Sequence, residues 1–423
     1  MHDVDIQDAS SAGDDTLEAA NQQAEPTTPP STAAANGQQR APGVGKALRQ
    51  YYAEQLMLPE WLIEVPPDLG AEWFVMPRPE GRRCLVISAK GQTTSRLRNG
   101  VLYERFASAL PGGGPGTLAS SDVFCILDCI YHEPNQTYYV IDLLCWKGYG
   151  LYDCSTEFRL YWVGSKLEET DAGQPPGSVP HHARCFTPVP AYRCTPEGLA
   201  AAHGNSVPFT RDGVYLLHRE AHYSAGPTPL ALLWKDAACS RYVIDTDAAG
   251  VPLAQQVAVL EYRMDGTVAT ADDPPAVLGR MPPAFIAQMG PRLRAGRLLR
   301  FRIGPGGIFF KDGMPAGADL HFEGPANQRR GRADSLSKIV FQHQARTSPI
   351  TLQQLLAAAA TGSRSVLQDE GAEGQLLVGP GSAAASMSLV ASEGREGGGS
   401  MLTDGGNAGA GSPGSDGVEV DMG

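Results

Sequence analysis

The chain has 423 residues and a formal net charge of −12, enough length for about two or three domains and too acidic overall for bulk duplex DNA binding. No apolar run reaches the ~20 residues of a membrane span, and the N-terminus lacks a basic, then apolar, secretory signal. The 8 cysteines have no regular spacing and read as reduced core thiols of an intracellular protein. Residues 1–47 and 359–423 are rich in Ala, Gly, Ser, Asp and Glu and poor in aromatics, so disorder is expected there. A folded body remains, divided by pattern into segments 48–250 and 251–358.

In chain order, Gln50 to Leu58 reads as a short helix, followed by Glu60 to Val65 and a Pro-Pro-Asp-Leu-Gly turn. Glu72 to Met76 is a predicted strand, and Arg78-Pro79-Glu80-Gly81 a predicted hairpin into the stretch from Arg82 to Phe106. That stretch reads as a strand from Cys84 to Ala89, a Lys-Gly turn, a basic segment and a second strand starting at Val101. Arg96 and Arg98 crowd its turn, with Arg82 and Arg83 at the far end. In an acidic chain such a cluster suits an anionic ligand, because the planar guanidinium fork meets two phosphate oxygens at once. A solvated hairpin end is the plain alternative.

Asp122 to Glu133 and Tyr138 to Trp146 read as a hairpin around Pro134-Asn135-Gln136-Thr137. Strand alternation puts Asp128 on a face with Phe124, Ile126 and Ile130, and Asp142 on a face with Val140, Leu144 and Trp146. A carboxylate among apolar neighbours needs a partner or a function. Asp153 to Glu169 is a predicted helix, and Thr195 a predicted N-cap for a helix over Pro196 to Ala202. Val207 to Glu220 reads as a hairpin turning at Asp212-Gly213, and Leu230 to Lys235 as a strand. From Ala258 onward short strands and turns predict a β-rich unit, followed by a helix over Ala333 to Phe341. No phosphate-binding loop or Gly-x-Ser-x-Gly elbow occurs, so no cofactor is expected. His181, His182, Cys185 and Cys194 do not have the spacing of a zinc site.

The stretches YYAEQLMLPEWLIEVPPDLGAEW, RRCLVISAKGQTTS, LPGGG, ILDCIYHEPNQTYYVIDLLCWKG, YDCSTEFRLYWVGSKL and HYSAGPTPL occur in that order. Together they resemble the cap-binding domain of the snurportin family. The resemblance implies binding of the 5′ trimethylguanosine cap of small nuclear RNA, in an adaptor for nuclear import of spliceosomal ribonucleoproteins. It also implies importin-β as partner and shuttling between cytoplasm and nucleus, with no role for membrane or DNA. Matched residue by residue, Leu58 and Trp61 fall on the family's apolar, methyl-sensing positions. Arg83 falls on a basic pocket residue, and Arg98 on a phosphate-contacting lysine. Pro59 replaces a serine, and Arg78 a small thiol residue at the pocket edge. Trp234 is the candidate stacking tryptophan, with Lys235 beside it at the pocket edge, although it follows Thr228 by six residues where the family has five. In a strand that offset reverses its face unless a bulge restores it.

The resemblance implies a fold as well: α+β, with twisted antiparallel sheets and flanking helices like those of mRNA guanylyltransferases and other nucleotidyltransferases. The β-rich extension is comparable to their oligonucleotide-binding (OB) domain by analogy alone. Those enzymes attack the α-phosphate with the lysine of Lys-x-Asp-Gly, whereas the corresponding turn here is Leu97-Arg98-Asn99-Gly100. A non-catalytic binder is therefore expected, with a displaced-lysine guanylyltransferase, or a catalytically dead scaffold that kept the fold and lost the pocket, as the alternatives. The family's Arg-rich importin-β helix has no counterpart in the first 45 residues, where Arg40 stands among seven acidic residues.

Overall fold

The computed structural model describes residues 44–115, 123–247, 249–327, 332–366 and 376–378. The expected disordered ends lie largely outside these residues. Helix α1 (Val44–Ala53) leads into strand β1 (Met57–Trp61), and a single turn, α2 (Leu69–Glu72), into β2 (Trp73–Pro79). Three strands follow, β3 (Arg82–Ala89), β4 (Gln92–Leu97) and β5 (Leu102–Phe106), and then β6 (Phe124–His132), β7 (Thr137–Trp146) and β8 (Tyr149–Gly150). Helix α3 (Thr156–Glu168) precedes β9 (Cys185–Pro188), β10 (Ala191–Arg193), α4 (Pro196–Gly204), β11 (Arg211–His218) and β12 (Gly226–Trp234). The C-terminal part holds β13 (Val257–Tyr262), β14 (Thr267–Ala269), β15 (Val277–Arg280), α5 (Pro283–Met289), β16 (Arg297–Lys311) and β17 (Met314–Pro325). It ends with α6 (Leu336–Thr347), α7 (Leu352–Val366) and β18 (Leu376–Val378).

The strands form three largely antiparallel sheets, so the chain is α+β as expected. The first sheet has the order β1-β12-β11-β2-β10-β18; the second runs β5-β4-β3-β6-β7-β8, with β9 pairing to β7; the third runs β15-β14-β13-β16-β17. The first two enclose a common apolar core in which Leu58, Phe74 and Tyr215 of one meet Leu85, Ile130 and Ile141 of the other. Strand β7 is buried along its whole length. Its Tyr139 and Ile141 enter this core, while Tyr138 and Val140 pack into a second core with Val163 and Leu167 of α3. A strand covered on both faces must be apolar at successive positions, which is the pattern of YYVIDLLCW. The Ser155 and Thr195 side chains cap α3 and α4.

Four local expectations change. The helix stops at Ala53, and Met57–Trp61 is a strand pairing in parallel with β12. Burial of Leu56, Met57 and Leu58 between the sheets outweighs their helix propensity. Arg78 to Gly81 is not a hairpin, because β2 and β3 belong to different sheets and Gly81, at φ 146°, carries the chain between them. The basic segment after Gly91 is itself a strand, β4. Asp212-Gly213 lies inside one strand, β11, where a register shift between Arg211 and Val214 accommodates Gly213 at φ 105°. In addition, the C-terminal half of α7 and all of β18 fall within residues 359–423, the segment expected to be a disordered tail.

Candidate functional site

The inter-sheet core contains a closed circuit of charges and hydrogen bonds. Arg83 donates from Nε to Asp128 Oδ1 (3.0 Å) and from Nη2 to Asp128 Oδ2 (2.6 Å) and the Met57 carbonyl (2.6 Å). Tyr223 donates its hydroxyl to Asp128 Oδ2 at 2.7 Å and accepts the Met57 amide at 3.0 Å. Both polar groups of Met57 are thereby anchored, and the backbone presenting Leu58 is fixed. Burial raises the Asp128 carboxyl above its ordinary range even against the pull of Arg83 and Tyr223. Beside it on β7, Asp142 takes a two-pronged contact from Arg159 (2.8 and 3.0 Å), whose guanidinium is fully buried and also bonds the Ala221 carbonyl at 2.8 Å. The two carboxylates anticipated as needing partners each have an arginine. Arg83, matched to a basic pocket residue, is thus a buried brace on β1 rather than an open cation.

Trp61 lies on the other side of the first sheet. Its ring packs against Phe341 of α6, with centroids 4.6 Å apart at 38°, and its backbone amide donates to Ser337 Oγ at 3.3 Å. The Lys235 ammonium stands 5.6 Å from the Trp61 ring centroid. Lys235 is anchored on Asp212 Oδ1 (2.6 Å), Arg78 pairs with Oδ2 of the same carboxylate, and Ser240 donates to Oδ1 at 2.7 Å. Burial would raise the Asp212 carboxyl, but Arg78 and Lys235 together hold it below the usual range. Two cations against one carboxylate leave a local positive charge beside the indole.

Trp234 is 1% exposed, and its indole N–H donates to the Ile350 carbonyl at 3.0 Å. It pairs with Val214 across β11 and faces the core that holds Leu62, Leu232 and Phe341. A shift in register does occur, between Pro59 and Glu60, whose partners are Thr228 and Leu232. It leaves Leu233, at the fifth position after Thr228, opposite Tyr215. The structure therefore places Trp234 inside the fold. Truncating such a ring costs about 3–5 kcal/mol of stability before any ligand is considered. Pro59 and Leu58 lie on β1, Leu58 being almost wholly buried between the sheets.

Arg98 occupies the β4–β5 turn, partly buried. The turn is held by α1: the Arg49 Nε donates to the Asn99 carbonyl at 3.0 Å, and Arg96 lies 3.9 Å from the Tyr52 ring centroid. Gly100, at φ 73°, closes it, and a Cβ there would fall 1.8 Å from the Arg49 carbonyl oxygen. Gly100→Ala should therefore detach α1 and displace Arg98. A left-handed alanine alone costs about 1–2 kcal/mol, and thermal melting should show at least that loss.

The structure brings the expected residues together in two groups, Leu58 with Arg83 and Trp61 with Lys235, Arg78 and Trp234, and leaves Arg98 apart. Sequence reasoning missed Tyr223, Asp212 and Phe341. Tyr223 lies in HYSAGPTPL and Asp212 in a segment read as a turn, where buried acceptors and donors leave no local pattern. Phe341 comes from a distant helix.

Among solved structures, a mycobacterial DNA ligase D complexed with ATP and MES is 13% identical and matches 66% of this chain and 97% of its own, at TM-score 0.32. The ATP-dependent DNA ligase of bacteriophage T7, in complex with ATP, is 9% identical over 64% of this chain and 99% of its own, at TM-score 0.30. A Lig E DNA ligase is 14% identical over 64% and 98%, at TM-score 0.28. Residues 55–235, which contain both groups described above, match the family described as Snurportin1, m3G cap-binding domain.

Proposed function

We propose that this chain binds the 5′ trimethylguanosine (m3G) cap of small nuclear RNA without catalysing group transfer. As the family's role implies, it would act as a nuclear import adaptor for spliceosomal ribonucleoproteins, moving between cytoplasm and nucleus with importin-β as receptor. The observation that carries the reading is the Trp61 ring with the Lys235 ammonium 5.6 Å from its centroid, inside the matched domain. An indole face suits a methylated guanine, which is itself cationic; the cation–π and stacking terms are together worth on the order of 1–3 kcal/mol. To stack there the base takes the ring surface that Phe341 covers. Arg78 and Lys235, sharing Asp212, supply net positive charge for the triphosphate beside it, and Arg98 a further cation from the β4–β5 turn. The trimethylated base has no proton on its exocyclic amine, so an apolar wall such as Pro59 favours it over the monomethylated one. At the turn where a nucleotidyltransferase has its lysine, Leu97 has no amine to attack a phosphate.

Tryptophan fluorescence titration with m3G and monomethylated cap dinucleotides tests this reading. The wild type should bind the m3G cap selectively. Trp61→Ala should lose affinity for both caps, whose bases are equally cationic, and so should Arg98→Ala. Equal affinity of the wild type for the two caps would refute selectivity, and a covalent guanylate adduct would establish the enzyme instead.

A further inference from the structure

The acidity of the whole chain hides a segment of opposite sign. From Pro274 to Lys311 there are seven cationic side chains and no Asp or Glu. The structure gathers several of them at one end of the third sheet. Arg297 opens β16 opposite Tyr262, the Gly296 amide bonds the Tyr262 carbonyl, and Arg263 follows directly. Arg280 ends β15 opposite Thr267, and Arg292 and Arg294 lie in the loop entering β16, the Arg297 guanidinium donating to the Arg292 carbonyl at 2.9 Å. All five guanidinium-bearing residues are exposed. Among the described residues none of the five has a carboxylate within ion-pair distance. Two acids stand nearby: Asp265 directs Oδ1 to the amide and hydroxyl of Thr267, and the exposed Glu261 of β13 lies opposite Leu298.

From this end the charge continues along the outer face of β16, where Arg300 and Arg302 alternate with the buried Leu299, Phe301 and Ile303. Arg300 is paired with Glu323 at 2.9 Å, while Arg302 bonds the Gln255 amide oxygen. Farther along the same strand Phe309 and Phe310 are each 50% exposed, next to Lys311. From Arg297 to Lys311 the strand spans on the order of 40 Å. Exposed guanidinium groups at the sheet's end, followed along β16 by Arg300 and Arg302 and then by exposed aromatic rings, make a track for a flexible polyanion that also offers planar bases to stack.

We propose that this face binds the phosphate backbone of the RNA that follows the cap, without regard to its sequence. Choosing RNA over another polyanion rests partly on the cap-binding reading, and the two must be tested separately. The full-length chain is titrated across a salt series with three ligands: the m3G cap dinucleotide, a short m3G-capped RNA, and the same RNA uncapped. Capped RNA should bind at least about tenfold more tightly than the dinucleotide at low salt, with a steep salt dependence shared by uncapped RNA. In Arg292→Glu/Arg294→Glu/Arg297→Glu, and less strongly in the matching Gln variant, both RNAs should weaken. The slope of log affinity against log salt should fall by about two, at ~0.7 for each phosphate that is no longer neutralised. The dinucleotide should bind as before, and the melting temperature should be unchanged. An identical slope in variant and wild type would overturn the proposal, as would displacement of RNA by polyglutamate as efficient as by RNA itself. Failure of the cap reading alone shows differently: the dinucleotide does not bind, while uncapped RNA still loses its slope in the variant.

Discussion

Asp128→Ala should lower the unfolding free energy by about 3–5 kcal/mol, the cost of leaving a buried charge without its partner. Urea denaturation would read this as a fall in midpoint. The carboxylate is fully buried, accepts both prongs of Arg83 and takes the Tyr223 hydroxyl, so its removal strands a guanidinium between two sheets. Arg83→Met should cost a comparable amount by stranding the carboxylate. The double variant Asp128→Leu/Arg83→Met should recover most of the loss, because a well-packed apolar pair avoids desolvating either ion. What it would not restore is the hold on Met57, which Arg83 bonds at the carbonyl and Tyr223 at the amide. The double variant is therefore expected to be stable but to bind the cap more weakly, since Met57 opens β1, the strand that ends in Trp61. A loss below about 1 kcal/mol in both single variants would mean that the circuit does not brace the strand.

How far the sequence carries toward this architecture differs from element to element. The β6–β7 hairpin was legible because its two strands are long, apolar and separated by a turn rich in turn-forming residues. The caps at Ser155 and Thr195 belong to the same class of local signal. The need of Asp128 and Asp142 for partners was legible from alternation, but the partners were not. Arg83 lies 45 residues away from Asp128 in sequence, and Arg159 sits on a helix whose pattern does not reveal its inward turn. Asp212-Gly213 misled because a turn and a strand bulge use the same residues; only burial of the carboxylate against Arg78, Lys235 and Ser240 distinguishes them. Trp61 and Trp234 show the limit at the candidate site. Position in a motif suggests which face a ring occupies, but what covers that face is decided by α6 and α7, more than 100 residues farther along.

That cover leads to a second expected result: Phe341→Ala should bind the m3G cap more tightly than the wild type. The Trp61–Phe341 contact, with centroids 4.6 Å apart, must open before a base can stack on the indole. An aromatic pair of this kind contributes about 0.5–1.5 kcal/mol beyond the area it buries, so relieving it should raise affinity by about 2- to 12-fold. Helix α6 keeps its own attachment through Ser337 Oγ to the Trp61 amide and through the Gln344 amide to the Ile63 carbonyl at 3.0 Å. The substitution therefore exposes the ring without releasing the helix. Phe341 is itself 5% exposed, and its truncation also destabilises the core. Phe341→Leu, which retains apolar volume but loses the ring pair, is the companion variant and should tighten binding to a smaller degree. Both are read by quenching of tryptophan fluorescence on addition of the m3G cap dinucleotide, alongside thermal melts. Tighter binding in both makes α6 a competitor for the stacking face, with a cost that every bound cap must meet. Weaker binding in both, with melts showing folded protein, makes Phe341 a wall of the pocket and the Trp61–Phe341 pair a part of the bound state.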